Sequence, residues 1–462
     1  VEAMRGRERF VCDVETYLLD FKTMKRIFGL IAGLFASSGF QVHAEDWPHW
    51  MGPNRDNVWA VSNPPTSFPA AGLAPRWQAS VAGGYAGPAV VGSKVYVTDF
   101  VSDSNVKVDN FGRRSFAGTE RVLCLDNATG KVSWKQEYPV TYTISYPAGP
   151  RCTPVVDGEH VYTLGAEGDL YCFDTATGQV VWNKNLKKAY NTDSPLWGYA
   201  AHPLVVGDLL YTLAGGEGSH VVCLNKKTGE EVWRSVTGKE QGYVPPSIIE
   251  AGGAKQLIVP SASAITAVDP ATGKEYWSFP YEASNGSIIM TPVTSGPYLF
   301  IGGYSRKNLL LKLDSQKPTA SKVWQDVAKK AISPVNVQPM VIDGIVYGFD
   351  ETGELLAFEI ESGKRLWETS KPVSPRPVQS GTAFLVRTEK NFVLFNDSGE
   401  LILANISPKG YEELARTKII EPTNNAFGRD VVWCAPAFAN GSIYVRNDEK
   451  LLCIPLTSSA SK

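Results

Sequence analysis

One short pattern recurs along this chain and leaves little freedom in how it folds. It reads CLDNATGKVSW at 124–134, CFDTATGQVVW at 172–182, CLNKKTGEEVW at 223–233, AVDPATGKEYW at 267–277 and AFEIESGKRLW at 357–367, with a looser copy ending at Trp324. The closing tryptophans stand 48, 51, 44, 47 and 43 residues apart. Leu170 and Cys172, then Val180 and Trp182, alternate at the period of two that marks strands. Asp174 opens the turn between them, its carboxylate placed to accept the backbone N–H two residues on. Gly178 closes it in a left-handed conformation that glycine adopts without cost. Units of this length, made of short strands with no helical periodicity, predict the blades of a β-propeller.

Each blade is expected to begin with an inner strand, cued by a proline and then V-V-x-G/D-x-V-Y. The cue follows Pro88, Pro154, Pro203, Pro246, Pro292, Pro339 and Pro436, and in degenerate form Pro377, which makes eight. The eighth unit runs out without a turn and tryptophan. Its missing outer strand is found at 73–81, LAPRWQASV, where Trp77 matches the strand around Trp233. The predicted fold is all-β: an eight-bladed propeller of four-stranded antiparallel blades over 73–457, with the N-terminal strand closing the last blade. Closure buries both apolar faces of every blade and removes the open ends of the array. The alternative is an open seven-bladed arc with extensions.

A hydrophobic content of 43%, with 12 Trp and 19 Tyr, suffices for a large β core. A net charge of −2 without like-charge runs gives no support for binding nucleic acid. Residues 24–44, MKRIFGLIAGLFASSGFQVHA, read as a secretory signal, with Lys25 and Arg26 before an apolar run and Val42-x-Ala44 as the cleavage site. The run is too short for a transmembrane anchor, and no cysteine follows the site for lipidation. Residues 1–23 read as an over-extended start. A periplasmic or secreted monomer without a membrane anchor is therefore expected. The segment 45–72, an irregular arm and linker containing WPHWMGPNRDNVW, lacks periodicity. It reads either as a cover for one end of the core, using Trp47 and Trp50, or as a partner-docking arm. Residues 458–462 form a C-terminal tail.

Cys124, Cys172, Cys223 and Cys453 share one repeat position in four different blades. Cys152 and Cys434 share another, in blades that are not neighbours, so none has a partner within disulfide reach. All read as reduced, buried thiols. The chain has no C-x-x-C for haem attachment or a cysteine-paired zinc site.

The pattern A/C-x-D/N-x-x-T/S-G-x-x-x-W, ending at Trp134, Trp182, Trp233, Trp277 and Trp367, resembles the tryptophan-docking repeat of pyrroloquinoline-quinone (PQQ)-type propellers. Trp77 and Trp324 take the same role in this reading. In those folds the ring is expected to wedge between adjacent blades. The segment WPHWMGPNRDNVW is similar to the start of exported bacterial members. The resemblance implies two functional templates, because fold alone does not give function. One is the quinoprotein alcohol and sugar dehydrogenases, with PQQ over Ca²⁺, an Asp base, a stacked Trp and a ring of adjacent cysteines. This chain lacks the adjacent cysteines, the long insertions and a convincing ligand set. The other is the cofactor-free propeller lipoprotein of the outer-membrane β-barrel assembly machinery, from which this chain departs by lacking the lipidation cysteine.

The loops leading into the inner strands are polar and aromatic, and ring geometry converges them on an axial funnel. The candidates are Arg151; Trp197, Tyr199 and His202; Asn285; Asn336 and Gln338; Arg376 and Gln379; and Arg429, Asp430 and Trp433. Three arginines with Trp and Tyr suit an anionic or sugar-like ligand. The same residues also suit ties between loops, since buried polar groups need partners. Asp430 beside Arg429 reads as an ion pair. No catalytic residue, metal site, G-x-S-x-G or carboxylate pair is legible, and no cofactor is predicted outside the quinoprotein alternative. The expected function is non-catalytic binding or scaffolding in the cell envelope, toward an envelope protein or a small anionic or sugar-like ligand. A PQQ-dependent dehydrogenase is the alternative, and a carbohydrate-active enzyme using the funnel is the third.

Overall fold

The computed structural model describes residues 46–457, apart from 107–109, 147, 239–240 and 328. The expected signal at 24–44, the residues before it and the 458–462 tail lie outside the described residues. Among the described residues are eight four-stranded sheets and one extra hairpin, Asn424–Ala426 with Arg429–Val431. All pairings within them are antiparallel, and seven blades run in chain order from the inner to the outer strand. The eighth takes three strands from the C-terminus and its outer strand, Trp77–Ser80, from the front of the chain. Trp77 faces Cys453 and Ser80 faces Lys450, which excludes the open arc. No helix among the described residues is long and apolar enough to cross a membrane.

Proline immediately precedes the inner strand in seven blades, where its lack of an N–H leaves no ladder donor missing. Blade seven corrects the expected phase. The stretch after Pro377 is not a strand, and Ala383–Arg387, expected as the second strand, is the innermost. Instead, Val378 N and Ser380 N donate to Thr352 O and Glu351 O of blade six. Gly381 lies so close to Gly353 that an added Cβ would stand 2.9 Å from its Cα. Those ties hold the segment outside the ladder.

The outer turn forms as its residues dictate. Asp174 Oδ1 accepts from Ala176 N at 3.1 Å and Thr177 N at 2.7 Å, and Gly178 sits at φ +74°. A bulge just after Cys172 sets that residue opposite Trp182. Most of the closing tryptophan rings then lie on the turn of the next blade. Trp134 Nε1 donates to Thr175 O at 3.0 Å, and a Cβ on Gly178 would meet the Trp134 ring at 2.5 Å. Trp77, Trp182 and Trp233 repeat the contact on Gly130, Gly229 and Gly273, donating to the carbonyls of Asn127, Lys226 and Pro270. Trp324 and Trp367 donate to Glu361 O and Ser407 O. Trp277 departs from the expectation. The next turn, at 314–319, has no glycine, and Trp277 instead donates to Gln256 Oε1 of its own blade. In blade seven Ala415 holds the tryptophan position, opposite Leu403. The six described cysteines are free and buried.

The arm runs inside the ring, against the inner strands. Trp47 exchanges both backbone hydrogen bonds with Val90 of blade one, and Val156 N of blade two donates to Pro48 O. Arg55 Nη2 donates to Pro203 O ahead of blade three. The chain then returns along blade seven, where Trp59 N donates to Arg387 O and Arg387 N to Asn57 O. Trp47 and Trp59 are buried against Phe438 of blade eight, with centroids 5.7 and 5.1 Å away. Residues 46–65 thus fill one end of the axial channel.

Candidate functional site

The loops ahead of the inner strands enclose two cavities that share walls, of about 180 and 130 Å³. The outer one is walled by Tyr85, Tyr146, Trp197, Tyr243, Phe427 and Trp433. The inner one ends on Trp50 of the arm, which stacks on His202 with centroids 4.7 Å apart. The arm therefore supplies the floor and the loops supply the mouth.

Five sequence candidates reach these cavities: Arg151, Trp197, His202, Asn336 and Trp433. Arg151 is occupied with its own loops. Its Nε donates to Trp197 O at 2.7 Å and its Nη2 to Ser145 O at 2.9 Å, with further bonds to Gly149 O and Tyr146 O. The guanidinium also lies 5.0 Å over the Tyr85 ring. Trp197 Nε1 donates to Asn110 Oδ1 at 3.1 Å, and Asn336 Nδ2 to Thr382 Oγ1 at 3.3 Å. Trp433 meets Tyr146 edge-on at 6.0 Å. His202 Nδ1 accepts from Thr153 N at 3.0 Å, which places the ring proton on Nε2. Burial, reinforced by Arg55, depresses its pKa to about 3. The imidazole is therefore neutral at pH 7 and far from the range of a working acid or base.

The remaining candidates lie elsewhere. Tyr199 turns beneath its loop onto Gly168 and donates to Ala214 O at 3.2 Å. Gln338 bonds both backbone groups of Thr291 at 2.7 Å, tying blade six to blade five. Arg376 and Gln379 are exposed to solvent. Asn285 lies in the single 3₁₀ turn Ser284–Gly286, and its side chain is outside the described residues. The Arg429–Asp430 ion pair does not form. Arg429 pairs with Asp397 at 2.8 Å, while exposed Asp430 accepts from Asn425 Nδ2 at 3.1 Å. Consecutive residues of a strand face opposite ways, which separates the two. Burial raises the Asp397 carboxyl against the pull of Arg429. With Arg376 outside, Arg429 neutralised and Arg151 bonded to carbonyls, three arginines do not converge on an anion.

The aromatic walls that sequence reasoning missed are Tyr85, Tyr146, Tyr243 and Phe427. Tyr85 and Tyr243 occur in GGYAGP and QGYVPP, a Gly-Tyr shortly ahead of a proline, and that recurrence was the available signal. Tyr85 Oη accepts from Asn424 Nδ2 at 2.9 Å, and Tyr243 Oη from Trp197 N at 3.2 Å. The result is an aromatic box in which, among the described residues, the only charged lining side chain is Arg151. Such walls favour ring stacking and apolar contact.

A family model described as outer membrane protein assembly factor BamB, of the PQQ-repeat class, matches residues 118–285 and 261–462. The chain belongs to that family. BamB of Yersinia pestis is 23% identical over 200 residues, 42% of this chain and 50% of that protein, so the match spans half the length of this curated relative. Among solved structures, BamB from Moraxella catarrhalis is similar with a TM-score of 0.53 and 15% identity, covering 83% of this chain and 98% of that one. The quinohemoprotein alcohol dehydrogenase from Comamonas testosteroni is similar with a TM-score of 0.54 and 15% identity, covering 90% and 81%. At these identities the structural likeness speaks for the fold.

The quinoprotein template that the repeat resembles makes a quinone over a metal ion worth testing against the residues present. Calcium takes oxygen ligands, carboxylates above all. Among the described residues, no Asp or Glu lines either axial cavity, and no group of three His, Cys, Asp or Glu that could hold a metal ion occurs. No two cysteines are adjacent in the sequence. This donor set does not fit a BamB-family funnel adapted to PQQ and calcium.

Proposed function

We propose that this BamB-family propeller is a non-catalytic scaffold of the bacterial cell envelope, exported to the periplasm, which holds a protein partner at the face bearing the aromatic box. The observation that carries this reading is the chemistry of the funnel. Its one described arginine is bonded to backbone carbonyls, its histidine is neutral with Nδ1 engaged, and no carboxylate lines its walls among the described residues. Aromatic rings with little competing charge are the composition of a binding surface. The tryptophans docked on neighbouring turns keep the loops in fixed relation, as a scaffold requires.

The test is photo-crosslinking from Arg376 and Gln379, exposed in a loop of that face, against Val132 on an outer strand. A single envelope protein captured from the loop positions and not from Val132 is the expected result. Stoichiometric uptake of PQQ with Ca²⁺, together with alcohol-dependent dye reduction, would overturn the reading.

A further inference from the structure

The inner cavity collects its described walls from the arm and from the approach to the inner strand of every blade, from Gly87 of blade one to Ala435 of blade eight. Five of those walls are rings: Trp50, Tyr85, Tyr243, Phe384 and Trp433. The two tyrosine hydroxyls are engaged with the loops, Tyr85 Oη with Asn424 and Tyr243 Oη with Trp197 N. Tyr85, Tyr243 and Trp433 also wall the outer cavity, so a side chain entering at the mouth reaches the inner cavity last.

The floor differs in kind from the walls. His202 is 8% exposed and lies flat on Trp50, the two planes 4° apart. The bond from Thr153 N takes Nδ1, so the ring proton stands on Nε2, where no described residue accepts it. Asn336 adds an acceptor to the same cavity. Thr382 Oγ1 donates to Ser380 O at 3.0 Å and so accepts from Asn336 Nδ2, which leaves Asn336 Oδ1 without a described partner. A buried N–H left unmade is costly to a fold. Here one stands at the end of a ring-lined chamber.

Resting on the scaffold reading above, we infer that the inner cavity receives a tyrosine side chain of the partner protein, whose phenol oxygen accepts the Nε2–H of His202. Phenylalanine would fill the chamber and leave that donor unmade. Tryptophan brings a donor of its own and nothing to accept the His202 proton. A carboxylate or amide side chain would reach the donor but place no ring between Trp50, Phe384 and Trp433. Tyrosine carries a ring and, at its far end, an oxygen that both accepts and donates, with Asn336 Oδ1 as an acceptor for its proton. Charge plays no part in this assignment, since the Arg151 guanidinium is given to backbone carbonyls.

The experiment follows isotope-labelled histidine by NMR while the full chain is titrated with p-cresol, the side chain of tyrosine, or with toluene, that of phenylalanine. p-Cresol is expected to shift the His202 Nε2 proton downfield, as a new hydrogen bond does, and toluene is not. The ratio of p-cresol to toluene affinity is expected to fall about ten-fold in His202→Leu and to be held by His202→Gln, whose amide can accept from Thr153 N and donate to the phenol. A peptide with a central tyrosine is expected to bind about ten-fold more tightly than its phenylalanine counterpart. The proposal is overturned if p-cresol produces no downfield shift in the wild-type protein, a reading that needs no variant to fold, or if His202→Leu keeps the wild-type ratio. It is overturned equally if methyl glucoside gives that shift and p-cresol does not. Binding of p-cresol without a preference for the tyrosine peptide would give the cavity to a free phenol and defeat the docking. A partner still captured at Gln379 by a protein indifferent to p-cresol would sink the tyrosine site and leave the scaffold standing.

Discussion

Gly178 meets two demands at once: a left-handed backbone and the face of Trp134 against its Cα. Gly207 meets only the first, since an added Cβ there has nothing within 4 Å at φ +59°. Gly207→Ala is therefore expected to cost about 1–2 kcal/mol of backbone strain, and Gly178→Ala clearly more. Trp134→Ala is expected to cost about 3–5 kcal/mol. Adding Gly178→Ala to Trp134→Ala should then cost only the strain, a non-additivity that a urea-denaturation cycle measures directly. At the same scale, burial pushes the thiols of Cys124 and Cys172 up to about 11 and 12. They are expected to ignore a disulfide reagent in the native protein and to react together on unfolding. These residues were legible in the sequence because each belongs to a repeat, so one copy interprets the others. Tyr85, Tyr146 and Tyr243 were not, since a loop aromatic carries no period and only the ring brings the three together.

The arm is the element with no repeat to read it by, and its path inside the channel comes from tertiary contacts alone. Its aromatic content announced burial, while Trp50 on His202 and Arg55 on Pro203 O set its depth. That depth has a pH signature. His49 and His202 are held at about 4 and about 3, burial first in both, below the ordinary value of 6.5. Their folded forms are neutral, so their contribution is complete above pH 6.5 and fades as pH falls toward those values. The loss is at most about 1.4 kcal/mol per pH unit for each histidine. His202→Gln keeps an acceptor for Thr153 N and is expected to flatten the drop in urea midpoint between pH 7 and pH 5. An unchanged slope would show that His202 does not titrate with unfolding. Blade seven was misread at this scale because it lacks the tryptophan, Ala415 standing in its place, so nothing corrected a slip of phase.

Across the whole molecule the ring is one covalent strip sealed at a single seam, where Trp77–Ser80 lies along Lys450–Pro455. Trp77 secures that seam by resting on Gly130 of blade one and donating to Asn127 O at 2.7 Å. Trp77→Ala is expected to free the front strand before the rest unfolds, giving early protease cuts near residues 66–82. Trp182→Ala, far from the seam, should lower the main transition without that clipping. Mass spectrometry of limited digests separates the two, and identical digests would mean that the seam is no weaker than any other interface. Eight-fold closure was legible from the count of units and the orphaned match around Trp77. The seam also imposes an order of events on synthesis. The first ribbon of the propeller to emerge must wait unpartnered until the last hairpin is delivered, and Arg76 finally meets Ser442 across 366 residues. A polypeptide cut short by a premature stop would keep two raw edges, and a cell's proteases could tell it from the finished article by those edges alone.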